Sequence, residues 1–283
     1  MIIVDLSQVM ISNLMMQLGN HTNTEVEEDL LRHMILNSIR SYNMKFKNEY
    51  GAMIIACDDR NFWRRDIFPY YKANRKKSRE KSELNWTQIF DALHKIRDEL
   101  KAFFPYRVVQ VDGAEADDII GTLAMNFGDT NEKILILSGD KDFVQLQRYN
   151  NVKQFDPVQK KFRTTNDPDR FIKEHIMRGD VGDGVPNFLS TDNCLVVGER
   201  QKPVASKKLD VWVHLKPEEF CDDRMLRGYR RNQQLVDLSF IPLNIQENIL
   251  AEYEAQAGKD RKNLFNYFIE KKLKNLIESI NEF

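Results

Sequence analysis

The chain begins MIIVDLSQ (residues 1–8), a short run of branched apolar residues that ends in an aspartate. Similar runs follow in AMIIACDD (52–59), YRVVQV (106–111) and KILILSGDKDF (133–143). Runs of this length and composition are typical of strands that are buried on both faces. Because parallel strands are covered on both faces and so lack polar alternation, the four runs predict a mainly parallel central sheet.

The stretches between these runs show helical spacing. A helix is expected from Thr24, with Glu27 three positions later as its capping-box partner. Two further helices are expected over residues 86–100 and 115–127. This alternation of strands and helices predicts an α/β fold in which helices flank the sheet. The apolar face of the first helix comprises Val26, Leu30, Leu31, Met34, Ile35 and Ile39.

The strand patterns fade beyond about residue 170. Helical stretches, basic clusters and a glycine-rich turn, GDVGDGVPN (179–187), replace them. We therefore predict two domains, an α/β domain over residues 1–170 and a helical domain over 171–283.

The composition excludes several classes of protein. A chain of 283 residues with 42% hydrophobic and 30% charged residues is typical of a globular protein. Its longest apolar run, residues 53–57, is far shorter than the roughly 20 residues that span a bilayer. The amino terminus lacks the basic segment of a signal peptide. Cys57, Cys194 and Cys221 have no zinc-ligand spacing, so we expect a cytoplasmic protein with reduced thiols and no membrane partner.

Acidic residues follow each of the four predicted strands. In an open parallel sheet the carboxyl ends of the strands lie along one edge, where ligands bind. Several carboxylates there repel one another unless cations compensate. Oxygen ligands favour Mg²⁺ or Mn²⁺ over Zn²⁺, and we expect all five histidines to lie outside the cluster. The acids are Asp5, Asp58, Asp59, Glu115, Asp117, Asp118, Asp140 and Asp142.

Each acid taken singly also fits a structural role. Asp5 fits a turn. Glu115, Asp117 and Asp118 fit the positive end of a helix dipole. Asp140 and Asp142 fit turn caps. Their common position after four separate strands favours a divalent-metal site instead.

A basic segment follows the second strand. Residues 60–81 contain nine Lys or Arg residues against two acids, although the whole chain has a net charge of 42 − 43 = −1. Aromatic residues lie among these cations, a pattern that favours a nucleic-acid clamp over a solvated helix face. The candidates are Arg64, Lys72 and Arg75 for phosphate oxygens and Trp63, Tyr70 and Tyr71 for stacking on an unpaired base.

The turn at 179–187 places three glycines around two acids. Glycine permits positive φ and a close approach of backbone amides to a phosphate. Gly182 and Gly184 are therefore candidate nucleic-acid contacts, and Asp183 is a candidate for the metal site. An ordinary helix–helix turn would show a similar pattern.

Seven short motifs occur in one order along the chain: IIVDLSQ, ACDD, WRRD, YKANR, EADD, SGDKDF and GDVGDGVPN. In this order they resemble the 5′-nuclease superfamily, which comprises flap endonucleases, the 5′-nuclease domain of bacterial DNA polymerase I and phage ribonucleases H. The likeness is strongest to the ribonucleases H of T-even-type phages and extends over essentially the whole chain. It implies a PIN-like 5′-nuclease core and a carboxy-terminal helical DNA-binding region with a helix–turn–helix element. Gly184 and Asn187 depart from the residues usual in the family's turn.

The resemblance also implies a role for individual residues. Residues 60–85 match the family's arch or gateway, and Lys72, Arg75 and Asp140 are the implied catalytic residues. The implied metal ligands are Asp5, Asp58, Glu115, Asp117 and Asp140 for a first ion and Asp142 and Asp183 for a second, with Asp118 and Asp180 beside them. The implied nucleic-acid contacts are Arg64, Tyr70, Tyr71, Lys72, Arg75, Lys76, Gly182 and Gly184.

The implied activity is that of a magnesium-dependent 5′→3′ exonuclease and flap endonuclease. Its substrates would be RNA–DNA hybrids and branched or primer-bearing duplex DNA, from which it removes RNA primers during phage replication. Two Mg²⁺ ions are expected, with Mn²⁺ as a substitute. A single-stranded-DNA-binding protein and a sliding clamp are the expected partners of a monomer in the host cytoplasm.

Three other functions fit part of the pattern. A PIN-type ribonuclease shares the acids but lacks the helical half. A non-catalytic scaffold for branched DNA has no need of mutually repelling carboxylates. A phosphohydrolase with an aspartyl nucleophile requires a second aspartate two residues after Asp5, where this chain has Ser7.

Overall fold

One sheet runs through the α/β part of the molecule. The computed structural model describes residues 1–18, 27–81 and 84–283, apart from the side chains of residues 17 and 76–78. The strands within these residues are β1 (Ile2–Asp5), β2 (Met53–Ala56), β3 (Arg107–Val109), β4 (Ile134–Leu137), β5 (Val152–Asp156) and β6 (Lys161–Arg163). They form a sheet in the order β3-β2-β1-β4-β5-β6. Only the β5–β6 pair is antiparallel among these strands, which confirms the predicted mainly parallel sheet.

Helices flank the sheet and continue to the carboxyl end. No helix among the described residues combines the length and the apolar character needed to cross a bilayer. The helices are α1 (Leu6–Leu18), α2 (Glu28–Tyr50), α3 (Trp63–Ile67), α4 (Ala73–Glu80), α5 (Trp86–Phe103), α6 (Ala116–Asn126), α7 (Pro168–Arg178), α8 (Cys194–Val197), α9 (Ser206–Trp212), α10 (Pro217–Phe220), α11 (Asp223–Val236), α12 (Leu243–Ala255), α13 (Leu264–Glu270) and α14 (Lys274–Ile277), with 3₁₀ helices at Lys141–Arg148, Leu238–Phe240 and Ile280–Glu282.

Alternate residues of β1 enter two different hydrophobic cores. Ile2 and Val4 pack with residues of α1, α2 and α5 on one face of the sheet. Ile3 packs with residues of α6 and α12 on the other face. Because both faces are buried, every position of β1 must be apolar until the strand reaches its acidic end at Asp5.

The sequence patterns did not predict β5 or β6. Strand β5 reads VKQFD, and its polar residues mask the strand pattern. Gln154 in this strand is completely buried, and its amide donates hydrogen bonds to the carbonyls of Ser138 (2.9 Å) and Asp140 (2.6 Å). A polar residue is therefore buried in β5 because it holds the loop that follows β4.

Helix α2 largely matches the predicted amphipathic helix. Leu31, Ile35 and Ile39 are buried as expected, but Leu30 is 44% exposed, so its assignment to the buried face was wrong. Leu30 and Leu31 are separated by about 100° around the helix axis, and only the second faces the sheet. Thr24 and Val26, where the helix was expected to start, lie outside the described residues.

A third core joins the basic segment to the carboxy-terminal helices. Phe68 and Tyr71, between α3 and α4, belong to the same buried cluster as Ile176 of α7, Val185 and Tyr229 of α11. The start of the basic segment is therefore anchored in the helical half of the chain.

Helix α11 lies very close to the backbone that follows the turn at 179–187. A Cβ added at Gly228 would lie 2.1 Å from the carbonyl oxygen of Phe188. Only glycine permits this approach between α11 and the backbone at Phe188.

We predict that Gly228→Ala destabilises the protein by about 2–3 kcal/mol, because backbone must move to relieve the clash. At a solvent-exposed helical position the same Gly→Ala substitution would stabilise the protein by about 1 kcal/mol, because alanine has the higher helix propensity. The expected change in stability at Gly228 therefore has the opposite sign. Urea unfolding measures the change, with Gln234→Ala on the exposed face of α11 as the control. Equal or greater stability of Gly228→Ala would contradict the close approach.

Candidate active site at the carboxyl edge of the sheet

Four acids from separate segments meet beyond the carboxyl ends of the parallel strands. Asp5 ends β1, Asp58 follows β2, Asp117 lies in the first turn of α6 after β3, and Asp140 follows β4. We call these residues the first acid group. Each of Asp5 and Asp117 lies in the electrostatic field of Asp140, and Asp5 also in that of Asp58.

Neighbouring polar groups hold these carboxylates in place. Ser138 donates its hydroxyl to Asp5 (3.1 Å), and Ser7 donates to Asp58 (2.5 Å). The backbone N–H of Ala116 donates to the other oxygen of Asp58 (2.8 Å). Loops that follow β1, β2 and β4 and the start of α6 are thereby tied together.

The first acid group carries more negative charge than its surroundings stabilise. Burial raises the pKa of Asp5 to about 7, and the charges of Asp58 and Asp140 act in the same direction. Burial, followed by the charge of Asp140, raises the pKa of Asp117 well above its ordinary value. Burial and the charge of Asp142 raise the pKa of Asp140 to about 6. A bound divalent cation would relieve this repulsion.

Glu115 lies beside the first acid group but is bound by cations of the protein. Lys72 forms ion pairs with Glu115 and with Asp183 (3.4 Å), and Arg75 pairs with Asp183 (2.5 Å). Burial opposes a charged lysine, but the carboxylates of Glu115 and Asp183 raise the pKa of Lys72 above its ordinary value. Lys72 is therefore a buried, permanently charged ammonium at the edge of the acids.

Arg64 occupies the protein interior and not the surface. It is 2% exposed, and its guanidinium pairs with Glu115 (2.9 Å) and Asp118 (2.8 Å) and donates to the carbonyl of Leu235 (2.8 Å). The sequence pattern counted Arg64 among the phosphate contacts, but its guanidinium is the counter-ion of two buried acids. Short helix α3 turns this residue inward while Arg65 stays exposed.

Asp118 likewise has a structural position. Its carboxylate is completely buried, accepts the backbone N–H of Glu115 in the capping box of α6, and accepts the indole N–H of Trp63 (3.0 Å). With Arg64 also bound to it, Asp118 faces away from the first acid group. Asp59 also stays apart, since it accepts the N–H of Gly113 (3.1 Å).

The predicted stacking residues differ in exposure. Trp63 and Tyr71 are buried, so neither side chain offers a free face to a base. The Tyr71 hydroxyl lies within hydrogen-bonding distance of Glu115 (2.9 Å) and Asp183 (3.0 Å) and shares its proton between them. Tyr70 is half-buried, next to the ring of Phe68. The side chain of Lys76 lies outside the described part of the chain.

The turn at 179–187 folds back onto the start of the basic segment. The carbonyl of Asp183 accepts the N–H of Lys72 (2.7 Å), and that of Val181 accepts the amide of Asn74 (2.8 Å). Gly184 has φ +73°, and an added Cβ would lie 2.9 Å from the carbonyl oxygen of Tyr70. Close approach of the protein's own backbone thus accounts for Gly184, and Gly182 lines the groove described below.

A second acid group contains a histidine. Asp142 and Asp180 lie with His175 of α7, whose Nε2 is 2.8 Å from Asp142 Oδ1 and 3.8 Å from Asp180 Oδ2. The expectation that every histidine lies outside the acids was wrong. His175 stands five residues before Asp180, and only the reversal of the chain after α7 brings the two together. Asp140 accepts the N–H of Asp142 (2.9 Å), which links the two acid groups.

An open groove of about 800 Å³ leads from Asp58 along the basic segment. Lys72, the half-exposed side chain of Arg75, Arg79 and Phe90 are among its lining residues. Its cationic walls and aromatic rings suit a single strand of nucleic acid.

The donor set fits hard divalent cations. The first acid group offers only carboxylate oxygens, which Mg²⁺ and Mn²⁺ prefer, and its raised pKa values show that cations of the protein do not neutralise it. Asp118, in the predicted ligand set, is completely buried and is bound by Trp63 and Arg64. Glu115 is likewise buried, and Arg64, Tyr71 and Lys72 bind its carboxylate.

Comparison with known proteins agrees with this geometry. Residues 2–176 match the family model "5′-3′ exonuclease, N-terminal resolvase-like domain", and residues 167–283 match "T4 RNase H, C terminal". The ribonuclease H of Enterobacteria phage T4 is 35% identical over 99% of this chain and 95% of its own length. A 5′-3′ exonuclease of Buchnera aphidicola is 30% identical, over 54% of this chain and 53% of its own.

Solved structures show the same fold. A phage T5 protein co-crystallised with metal ions superposes with a TM-score of 0.67 at 16% identity, over 90% of this chain and 98% of its own. The T5 flap endonuclease in a pseudo-enzyme–product complex with DNA and metal ions gives a TM-score of 0.62 at 16% identity, over 91% of this chain and 99% of its own.

We predict that Asp140→Asn stabilises the metal-free protein. Because the folded-state pKa values of Asp5 and Asp140 are raised to about 7 and about 6, the native state holds more protons than the unfolded state above about pH 4, and stability falls as pH rises towards 7. Removing one charge should raise the Tm in EDTA at pH 7.5 by roughly 3–8 °C and less at pH 5. Exposed Asp112→Asn is the control, and an unchanged Tm would show that the acids do not repel.

We further predict that Arg64→Ala lowers the free energy of unfolding by about 3–5 kcal/mol, since it leaves two buried acids unpaired. The adjacent exposed Arg65→Ala should change it by less than about 0.5 kcal/mol. Chemical unfolding of both variants measures the difference. If Arg64→Ala is as stable as the wild type but binds duplex more weakly, the result would support a role for Arg64 as a phosphate contact.

Proposed function

We propose, on the basis that this chain belongs to the 5′-3′ exonuclease family with a carboxy-terminal half of the T4 RNase H type, that it uses the carboxyl edge of its sheet to cut nucleic acid from the 5′ end. The chain is a structure-specific 5′-nuclease, a hydrolase of phosphodiester bonds that depends on divalent metal ions. Its substrates are RNA–DNA hybrids and branched or primer-bearing duplex DNA, and its task is the removal of RNA primers during phage replication.

One observation carries the proposal: four strand ends bring Asp5, Asp58, Asp117 and Asp140 together beside the buried ammonium of Lys72. A structural role for these acids would be expected to pair each of them with a cation or a helix end. The raised pKa values of Asp5 and Asp140 support a site that is completed by metal ions.

We propose Mg²⁺ as the resident ion, two ions per site, with Mn²⁺ as a substitute. The first acid group and Glu115 would hold one ion, and Asp142, Asp180 and Asp183 would serve the other. When bound there, such ions lower the pKa of a water and neutralise charge on a phosphate.

Lys72 and Arg75 would position the scissile phosphate. Arg75 is half-exposed and lines the groove, so its guanidinium can form paired hydrogen bonds with phosphate oxygens. Lys72 lines the same groove and is held by Glu115 and Asp183, which would fix a positive charge beside the phosphate. The products would carry a 5′-phosphate and a 3′-hydroxyl.

The remaining assignments follow from the family. Residues 60–85 would form the gateway for the 5′ strand, and residues 171–283 would grip the duplex through the turn at 179–187. We propose a cytoplasmic monomer that works with a single-stranded-DNA-binding protein and a sliding clamp.

Cleavage of an end-labelled 5′ flap and of an RNA–DNA hybrid tests the function. We expect cutting with Mg²⁺, none with EDTA, and a loss of about 10³-fold or more in Asp140→Asn. Lys72→Ala should slow single-turnover cutting by about 10²–10³-fold, because it removes a charge aimed at the reacting phosphate. Its affinity for the duplex in Ca²⁺ should change by less than about threefold.

Lys81→Ala removes an exposed charge from the same segment and is the matched control. Equal cutting by the wild type and Asp140→Asn would refute the site. If Lys72→Ala lowers only the affinity for the duplex and not the cleavage rate, Lys72 has a role in substrate binding alone. If the wild type binds both substrates but cuts neither in Mg²⁺, the result would favour a non-catalytic scaffold for branched DNA.

A further inference from the structure

The second acid group differs from the first acid group in its ligand types. The first acid group is built from carboxylates alone, whereas Asp142 and Asp180 are joined by the imidazole of His175. All three side chains offer a ligand atom, and these atoms lie within 4.8 Å of one another.

Two of these atoms are buried without a hydrogen-bond partner. Nε2 of His175 and Oδ1 of Asp142 are 2.8 Å apart, yet neither has a hydrogen bond of acceptable geometry. The His175 side chain is only 5% exposed, so water does not satisfy its nitrogen from the surface. Buried polar atoms of this kind require a partner.

The spacing suits two ligands of one cation. Ligands about 2.1 Å from an octahedral ion lie about 3 Å from each other along an edge of the coordination shell. The distances from His175 Nε2 to Asp142 and Asp180, 2.8 and 3.8 Å, are compatible with two such neighbours after a small adjustment.

Rigid elements hold the three side chains. His175 lies in the last turns of α7, and Asp142 lies in the 3₁₀ helix Lys141–Arg148. Asp180 is fixed by paired backbone hydrogen bonds with Val185 (2.8 and 2.7 Å) and accepts the N–H of Gly182 (2.8 Å). Asp183, by contrast, is bound by Tyr71, Lys72 and Arg75 and is not needed to complete this set.

We infer that His175 donates Nε2 as a direct ligand to a divalent cation held with Asp142 and Asp180, and that this mixed site prefers first-row transition ions such as Mn²⁺ to Mg²⁺. Mg²⁺ takes oxygen ligands almost exclusively, while imidazole is a good ligand for transition ions. The inference deepens the proposed function, since Asp142 and Asp180 belong to its second metal position.

Lys141 is the local competitor for this cation. Its ammonium lies 3.0 Å from Asp180 Oδ2, but its side chain is 46% exposed and can move into solvent when an ion binds. The site then has two carboxylates and one neutral imidazole, a charge that matches a divalent ion.

Pulsed electron paramagnetic resonance of the Mn²⁺-loaded protein tests this assignment independently of activity. We expect a nitrogen hyperfine coupling in the wild type that changes when histidine is labelled with ¹⁵N. His175→Gln should abolish the coupling and weaken Mn²⁺ binding at one site by about tenfold or more, with Mg²⁺ affinity changed by less than about threefold. His214→Gln, at an exposed position, is the matched control and should behave as the wild type.

The outcomes separate the two proposals. Mn²⁺ that binds without nitrogen coupling, or a coupling that survives His175→Gln, overturns the role of His175 and leaves the nuclease site standing. Absence of any Mn²⁺ binding overturns both. Should His175→Gln fail to fold in thermal melts, the ¹⁵N-histidine experiment on the wild type still decides whether a histidine is bound.

Discussion

Repulsion between carboxylates at one edge of the sheet is the constraint on which the rest of this structure depends. Asp5, Asp117 and Asp140 come from different segments, and burial together with neighbouring charge raises their pKa values. In a poorly screened environment only cations offset such repulsion. The protein supplies some, through Arg64 and Lys72, but directs them to Glu115, Asp118 and Asp183. The carboxylates at this edge of the sheet are thus left without cations of the protein to neutralise them, as the proposed metal site requires.

The same cations join the two halves of the chain. Arg64 bonds two acids at the start of α6 and also the carbonyl of Leu235 at the end of α11. Lys72 donates its backbone N–H to the carbonyl of Asp183 in the turn at 179–187. Because Tyr71 and Phe68 pack in the third core, the basic segment, the metal edge and the helical half share one set of contacts. Buried contacts, and not a flexible linker, therefore fix the helical half relative to the acids.

The two acid groups are adjacent but chemically different. One is made of oxygen donors and reaches the groove through Asp58, and the other includes an enclosed imidazole on α7. The backbone hydrogen bond from Asp142 to Asp140 connects them. The proposed metal positions would therefore differ in the ion that each favours.

The sequence by itself determined the parallel sheet, because continuous apolar runs are typical of strands buried on both faces. It also determined the convergence of acids, because acids that follow parallel strands lie at the same edge of the sheet. It also placed Lys72 and Arg75 near these acids, and their catalytic role stays a prediction. Sequence could not separate Arg64 from Arg65, or Asp117 from Asp118, since neighbours in a helix differ only in the direction they face. It missed β5, whose buried Gln154 looks like a surface residue, and it missed His175, which meets Asp142 across 33 residues of chain. Only tertiary packing decided which charged side chains pair with one another inside the protein and which remain available to a metal ion or nucleic acid. Pairing depends on distance in space and on burial, and the order of residues specifies neither.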